Sequence, residues 1–581
     1  VGTERIPFEE RVRRDHSVSY QPQNPLIVQS DKTVLLEVMN PLFDEARDVL
    51  ARFAELLKSP EHIHTYQITP LSLWNAAASG LTADAILTDL ERLSKFPLPE
   101  NLRKDIIDYA ARYGRVQLAK TGAGDLVLRS QDPVLLTEVW HNKVVRPYLV
   151  DQGPEGIRVI AERRGHVKQA MIKIGFPVED LAGYTEGASL EMALRALALS
   201  GRPFQLRDYQ QQAVSAFYKG GSIFGGSGVI VLPCGAGKTV VGMGAMSEIQ
   251  QQTLILTTNI TAVRQWMDEL VDKTTLRRDQ VGEYSGEVKE IRPVTVSTYQ
   301  ILTYRENANG GPQFPHFHVF NARPWGLIIY DEVHMLPAPV FRITSEIQAM
   351  RRLGLTATLI REDGAEEDVF SLIGPKRFDI PWKVLERQGY IAEATCHEIR
   401  VPLHEELRLS YAVAEDRAKF RIASENPAKN RLVTELVRRH RDDNVLVIGQ
   451  YLDQLKSLAA ELGAPLITGQ VPSKEREELY AQFKRGDIRV LVVSKVANFA
   501  IDLPDANVAI QVSGTFGSRQ EEAQRLGRIL RPKSDGSGAT FYSLVTRETR
   551  DQEFAAKRQL FLTEQGYRYE ISHSEEFAPE T

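Results

Sequence analysis

Two doubly wound parallel-sheet α/β domains in tandem, preceded by two small α+β modules, form the architecture this sequence predicts. Three observations carry that expectation. From about Phe204 onward, short β-branched runs alternate with amphipathic stretches. The runs fall into two series, split near Pro381–Gly389. Before residue 200 the texture differs, with helical spacing mixed with short strand-like runs around turns. Continuous apolar runs suit strands covered on both faces, as in parallel sheets with helices on each side.

The elements follow in order. Residues 1–23 are a charged arm. Residues 24–111 form a first module, with strand-like Val34–Val38 and helical spacing over Leu71–Phe96 and Leu102–Tyr113. Residues 112–190 form a second αβ module, with strand-like Arg115–Leu118 and Leu126–Arg129 around the turn at Thr121–Gly124. The first large domain, 203–385, contains the runs Val229–Leu232, Thr253–Leu256, Val294–Ser297, Leu327–Tyr330 and Leu353–Leu355. The second, 386–548, contains Asn444–Ile448, Leu466–Thr468, Val490–Val493, Val508–Val512 and Phe541–Val545, and residues 549–581 are a tail. In such folds the ligand sits at the carboxyl ends of the strands, here also between the two sheets.

Composition excludes several classes. The 581 residues are 43% hydrophobic and 25% charged, which rules out wholesale disorder and fibrous architecture. The formal charge, 71 − 76 = −5, excludes a histone-like polycation but not a local basic groove. Two cysteines, Cys234 and Cys396, cannot build a disulfide framework and fit a reducing compartment. No run approaches the roughly 18 apolar residues that span a bilayer. The charged first twenty residues do not read as a secretory signal. The expectation is a cytoplasmic, nucleoid-associated protein with no membrane partner.

The chemistry begins at Val229–Thr239. A strand runs into Pro233-Cys-Gly-Ala-Gly-Lys-Thr239 and then a helix, so Pro233, Cys234, Gly235, Ala236, Gly237, Lys238 and Thr239 would cradle phosphate. Lys238 would reach the β/γ phosphates and Thr239 would ligate Mg²⁺. The strict pattern has glycine six residues before the lysine, where this chain has Leu232. Leu327–His334 then ends an apolar strand in two carboxylates, suiting Asp331 to Mg²⁺ and Glu332 to directing water. His334 has two readings, a coupling residue or a satisfied buried histidine. In Gln524–Arg531, Arg528 and Arg531 share a helix face with Gln524 one turn back, a set that can stabilise charge on a γ-phosphoryl group from across a cleft.

Loop, acid pair and arginine helix in this order resemble superfamily 2 helicases, and within them the XPB family. Asp331–Arg342, Gly354–Asp363 and Gln524–Arg531 read like that family's motifs with few changes. The resemblance implies RecA-like motor domains, and an adenine-reading role for Arg207 and Gln210. It implies coupling of ATP to nucleic acid by Thr356 and Thr358, and strand contacts near Thr258, Thr298, Ser494 and Lys495. Arg361, Glu362 and Asp363 match an element used in opening duplex DNA. Residues 402–431 resemble a DNA-gripping thumb and carry Arg408, Arg417, Lys419, Phe420, Arg421, Lys429 and Arg431, read as a basic helical surface with an interleaved aromatic. Residues 24–111 and 112–190 resemble an interaction domain and a damage-recognition domain. With no long acidic insert before the motor, a prokaryotic-type XPB is implied.

The expected activity is an ATP- and Mg²⁺-dependent DNA helicase or translocase, 3′-to-5′ in direction, opening forked or distorted duplex in nucleotide excision repair. Its partners would be duplex and single-stranded DNA, with a repair nuclease or transcription protein at 24–111. The alternative is a DNA-stimulated regulatory ATPase or clamp that recruits partners without processive unwinding. His62-x-His64 and His316-x-His318 each read as imidazole pairs on one side of a strand without further metal ligands, and Gly220–Gly228 as a flexible surface loop.

Overall fold

In a computed structural model, the chain is described at residues 20–58, 62–308, 311–347, 350–357, 366–494, 506–514, 522, 525–527, 529 and 538–577. It divides into two units, Val1–Tyr113 and Gly114–Thr581.

The first unit is an antiparallel sheet in the order Leu26–Val28, Thr33–Glu37, Ile63–Gln67, Glu55–Lys58, with four helices among the described residues. Alternation in Thr33–Glu37 buries Val34 and Leu36. The helix Pro70–Ala78 starts at a capping box, in which the Thr69 hydroxyl accepts from the Ser72 N–H and Ser72 Oγ from the Thr69 N–H. Trp74, buried, donates from Nε1 to the Tyr109 carbonyl at 3.2 Å and ties that helix to Glu100–Arg112.

The second unit opens with a five-stranded sheet, ordered Leu149–Gly153, Gly156–Val159, Leu126–Arg129, Gln117–Lys120, Glu179–Asp180. Its helix Arg164–Lys173 packs on the helices Ala338–Glu346 and Glu366–Leu372 of the following domain. Arg164 grips Asp180 through two bonds of 2.6 and 3.1 Å, and Lys168 Nζ lies 3.1 Å from the same carboxylate.

Two seven-stranded sheets follow, and every pairing in both is parallel. The first runs Val281–Tyr284, Val294–Thr298, Thr253–Thr257, Leu327–Asp331, Arg351–Thr356, Ser227–Val231, Lys376–Asp379. The second runs Leu466–Ile467, Val490–Ser494, Val445–Gly449, Val508–Gln511, Ala539–Thr546, Ala394–Val401, Tyr569–His573. Both are the doubly wound parallel α/β sheets that the sequence predicts. The central strands Thr253–Thr257 and Val445–Gly449 are buried at every position, which is why they read as unbroken apolar runs. One apolar core continues from Leu232 and Trp266 through Trp382 and Leu385 into Leu446 and Phe541, joining the lobes.

Several expectations are corrected. Residues 549–581, expected as a tail, supply the helix Arg550–Glu564 and the edge strand Tyr569–His573. Gly225, Gly226 and Gly228 are buried rather than looped out, because the first motor strand begins at Ser227. His316 and His318 lie in a 3₁₀ helix, Pro315–Asn321, not on a strand. Residues 402–431 are helical, in Glu405–Val413, Asp416–Ser424 and the start of Pro427–Arg439. There Phe420 and Lys429 are not surface groups. Phe420 packs edge-on to Phe554 at 5.0 Å, and Lys429 is fully buried 2.6 Å from Asp551. An unpaired ammonium could not remain charged there, so the lysine takes the carboxylate.

Candidate nucleotide site and nucleic-acid face

Sheet register levels the site. Val231 pairs with Thr356, and Leu355 with Asp331, so three neighbouring strands end together. Beyond Val231 the chain turns through Gly235 and Gly237, at φ 81° and 82°, into the helix Lys238–Ile249. Those left-handed positions are open to glycine at little cost. The turn aims the helix N-terminus over the ends of the three strands.

Lys238 Nζ lies 2.9 Å from Glu332 Oε1. Burial opposes the ammonium, yet Glu332, Cys234 and Asp331 more than offset it and hold the lysine above its usual range. Burial likewise opposes the Glu332 carboxylate, but Lys238 and His334 outweigh it and keep it ionised. Asp331 is pushed up to about 6, by burial first and by repulsion from Glu332 second, with Lys238 and the Trp266 N–H opposing. Trp266 Nε1 donates to Asp331 Oδ2 at 2.8 Å, and the Tyr299 hydroxyl to the Asp331 carbonyl at 2.9 Å. Glu332 itself has φ 49°, a strained value for a side chain of its size, of the kind that collects at functional sites. Its Oε2 is buried without a hydrogen-bond partner.

His334, 5% exposed, has Nδ1 2.7 Å from Thr356 Oγ1 and 3.5 Å from Glu332 Oε2. The acid pair and the neighbouring strand end are thereby in contact through one imidazole. Gln210 is also buried and both ends of its amide are engaged. Oε1 accepts from the Arg207 N–H at 3.0 Å and Nε2 donates to the Ala236 carbonyl at 2.9 Å. In this arrangement Gln210 holds the phosphate loop. Arg207 reaches Tyr209 at 3.2 Å and lies over the Tyr390 ring at 4.7 Å. Trp266, Tyr209 and Tyr390 were not among the residues singled out by sequence, since their partners lie on distant elements.

Gln524, Arg528 and Arg531 lie outside the described residues, as do Thr358, Arg361, Glu362, Asp363 and Lys495. Gly527 is described, and it meets the phosphate loop. A Cβ built on it would stand 2.1 Å from Cys234 Cβ. The second lobe therefore contacts the loop through a residue without a side chain.

Three positions expected to touch a nucleic-acid strand sit at strand ends but do not present their hydroxyls. Thr258 is buried and accepts from Asn259 Nδ2 at 3.0 Å. Thr298 is buried and caps the short helix Tyr299–Leu302, accepting from the Ile301 N–H at 3.3 Å. Ser494 is buried at the end of Val490–Ser494. On the helical insertion Lys419 is half-buried over the Tyr411 ring at 5.9 Å, while Arg421 is exposed and paired with Glu425 at 2.6 Å.

Comparison with known proteins gives the family. A family model described as ERCC3/RAD25/XPB C-terminal helicase matches residues 385–580. Models for the type III restriction enzyme res subunit and for a helicase conserved C-terminal domain match 203–361 and 26–153. A Kineococcus radiotolerans protein named DNA 3′-5′ helicase XPB is 54% identical over 548 residues, covering 94% of this chain and 96% of that protein. A Mycobacterium tuberculosis protein of the same name is 55% identical over 553 residues, covering 95% and 98%. The Enterocytozoon bieneusi general transcription and DNA repair factor IIH helicase/translocase subunit XPB is 33% identical, covering 94% and 92%. With more than half of its residues identical to the first two of these relatives over nearly the whole of both chains, the chain belongs to the XPB family of superfamily 2 helicases.

Proposed function

We propose that the chain is an ATP-driven DNA motor that moves 3′-to-5′ and opens duplex DNA during excision repair. The observation that carries this reading is the Lys238–Glu332 ion pair with Asp331 beside it, set on level strand ends where Gly527 of the second lobe meets the loop. The relatives, named as a DNA 3′-5′ helicase and as a subunit of a transcription and DNA repair factor, support the polarity and the link to repair.

The residues present fit Mg²⁺ and ATP. Two carboxylates face one ammonium, and Glu332 Oε2 is buried with no hydrogen bond among the described residues and with the His334 imidazole at 3.5 Å, an oxygen-rich and net negative set of the kind hard divalent cations take. Thr239 and Asp331 would hold the ion, which when bound neutralises charge on the phosphate oxygens. Trp266 and Tyr299 fix the orientation of Asp331. Phosphate oxygens compete with Glu332 for the Lys238 ammonium, and the carboxylate so released positions the attacking water. Pro233–Gly237 cradle the phosphates, with Arg207 and Gln210 bracing the loop. Gln524, Arg528 and Arg531 complete the site from the second lobe. His334 and Thr356, with Thr358, relay its state to the DNA face.

On that face, Arg361, Glu362 and Asp363 work at the duplex junction, and Thr258, Thr298, Ser494, Lys495, Lys419 and Arg421 lie along the strand path. Residues 112–190 read distorted duplex and residues 24–111 take a protein partner. The test is strand displacement on duplexes with 3′ or 5′ tails, run beside ATPase on the same protein. Displacement only from 3′ tails is expected. DNA-stimulated ATPase without displacement would overturn unwinding in favour of a clamp.

A further inference from the structure

Between Thr298 and the acid-pair strand the chain makes an excursion that none of the motor roles uses. Several of its rings lie near the end of the edge strand Val281–Tyr284, whose last residue they contact. Tyr304 is 55% exposed and lies just past the helix Tyr299–Leu302 that Thr298 caps. Its ring centroid is 6.1 Å from that of His316, which is 6.5 Å from that of His318. The imidazoles are held from beneath by buried Tyr284, whose hydroxyl is 2.9 Å from His316 Nδ1, while His318 Nδ1 is 2.8 Å from the Pro315 carbonyl. Beside them Phe314 stacks on Phe317 at 4.7 Å, and the Arg305 guanidinium lies 5.5 Å over Phe314. Lys289 sits 5.1 Å over the Tyr284 ring.

Charge on this surface is balanced overall, with Arg264 shared by Glu283 at 3.8 Å and Glu287, so the cations nearest the rings that are free of a carboxylate partner among the described residues are Arg305 and Lys289. Glu287 pairs with Arg264 at 2.6 Å and Glu290 with Arg292 at 3.8 Å, leaving Glu306 as the carboxylate that acts on His316. Tyr304 is exposed and Phe314 and His316 are half-buried beside it, and an exposed ring with an arginine and a lysine next to it is what an unpaired base and its phosphates require. Every base has a face to stack, and the cations track the backbone. A purely structural histidine and tyrosine cluster would have no need to leave Tyr304 exposed at the rim.

We propose that Tyr304, Phe314 and His316, with Arg305 and Lys289, form a stacking platform that holds unpaired DNA bases at the outer edge of the first motor lobe. The platform rests on the reading of the chain as a DNA motor. It adds a contact that the buried hydroxyls of Thr258 and Thr298 do not supply.

The test is equilibrium binding of a fluorescent single strand to the full chain across a salt series, with thermal unfolding of each variant. Loss of a stacked base is worth about 5- to 150-fold in affinity. Tyr304→Ala should weaken single-strand binding within that range without changing the slope of log K against log salt, and Tyr304→Phe should restore it. Arg305→Gln should instead lower the slope by about 0.7. Unchanged single-strand affinity in Tyr304→Ala would overturn the platform and leave the rings as a protein-contact surface. Equal loss by Ala and Phe would also overturn it. Failure of the parent chain itself to bind single strands would overturn the motor reading instead, so the two failures are distinguishable.

Discussion

Replacing Gly527 by alanine tests whether the second lobe reaches the phosphate loop by close approach. The added methyl would lie 2.1 Å from Cys234 Cβ, 2.9 Å from its Sγ and 3.4 Å from its Cα. Carbon pairs rest at about 3.5–4.0 Å, and Cys234 Cβ is fixed to its own backbone, so no rotamer relieves the clash. The two backbones must part by roughly 1.5 Å. A misplacement of about 1 Å in a reacting site can cost 10²-fold in rate, about 2.7 kcal/mol of barrier. The expectation is a drop of roughly 10²-fold in DNA-stimulated ATPase kcat, with the nucleotide KM little changed. The backbone at Gly527 is helical, where alanine is favoured over glycine by about 1 kcal/mol, so the substitution carries no backbone penalty of its own. Cys234→Gly in the Gly527→Ala background removes the clashing Cβ and should recover much of the loss. Steady-state ATPase on the four proteins of this cycle is the assay. Parental turnover in Gly527→Ala would refute the reasoning, because it would mean that the contact does not set the lobe spacing in turnover.

Lys238→Ala should abolish ATP turnover in a chain whose circular dichroism is unchanged, and residual ATPase near the parental level would remove the lysine from the site. Trp266→Phe deletes the N–H on Asp331 while keeping an aromatic ring; because groups that orient metal ligands typically matter 10–100-fold, the Mg²⁺ concentration for half-maximal ATPase should rise by about that factor. Asp180→Asn leaves Arg164 and Lys168 buried without their carboxylate, a loss of about 3–5 kcal/mol in stability at neutral pH. The Asp180 pKa is depressed, despite the opposing effect of burial, by Arg164 and Lys168, so its contribution is complete above the ordinary carboxylate value of 3.8 and fades as pH falls below it. Melting temperatures of parent and variant should therefore differ at pH 7 and converge only in strong acid. Lys168 is depressed to about 8, by burial first, so protonating it costs stability below that pH and the penalty lifts as pH rises toward 10.5.

The strands that the sequence shows plainly are those covered on both faces. Thr253–Thr257 and Val294–Thr298 are buried throughout, and their apolar runs locate them within a residue or two. Lys376–Asp379 and Tyr569–His573 are edge strands with no fully buried position, so their residues carry charge and no run betrays them. Ala394–Val401 is interior yet contains His397, Glu398 and Arg400. Glu398 is buried, accepts from Gln559 Nε2 at 2.8 Å and faces Arg400 at 2.9 Å, so polar partners replace the apolar pattern that would have announced the strand. The thumb-like segment misleads in the opposite sense. Lys429 counts as surface charge in composition, but its position is set by Asp551, a residue 122 positions on, which no local spacing reveals.

The phosphate loop shows why local chemistry was legible where distant partnership was not. The strict pattern asks for an early glycine, and Leu232 stands there. Leu232 is fully buried and its N–H donates to the Thr356 carbonyl at 2.9 Å, so the sheet ladder continues one residue past the strand. A residue still in the ladder has no need of a left-handed backbone. The turn is made later, at Gly235 and Gly237, where φ is positive and where the sequence does keep glycine. The residues that backbone geometry requires are thus present at the spacing that requires them. Trp266 reaches Asp331 from an element 65 positions away, and only the parallel register of Thr253–Thr257 beside Leu327–Asp331 brings the helix that follows the first strand over the end of the second. Motif spacing encodes the loop, and sheet order encodes its support.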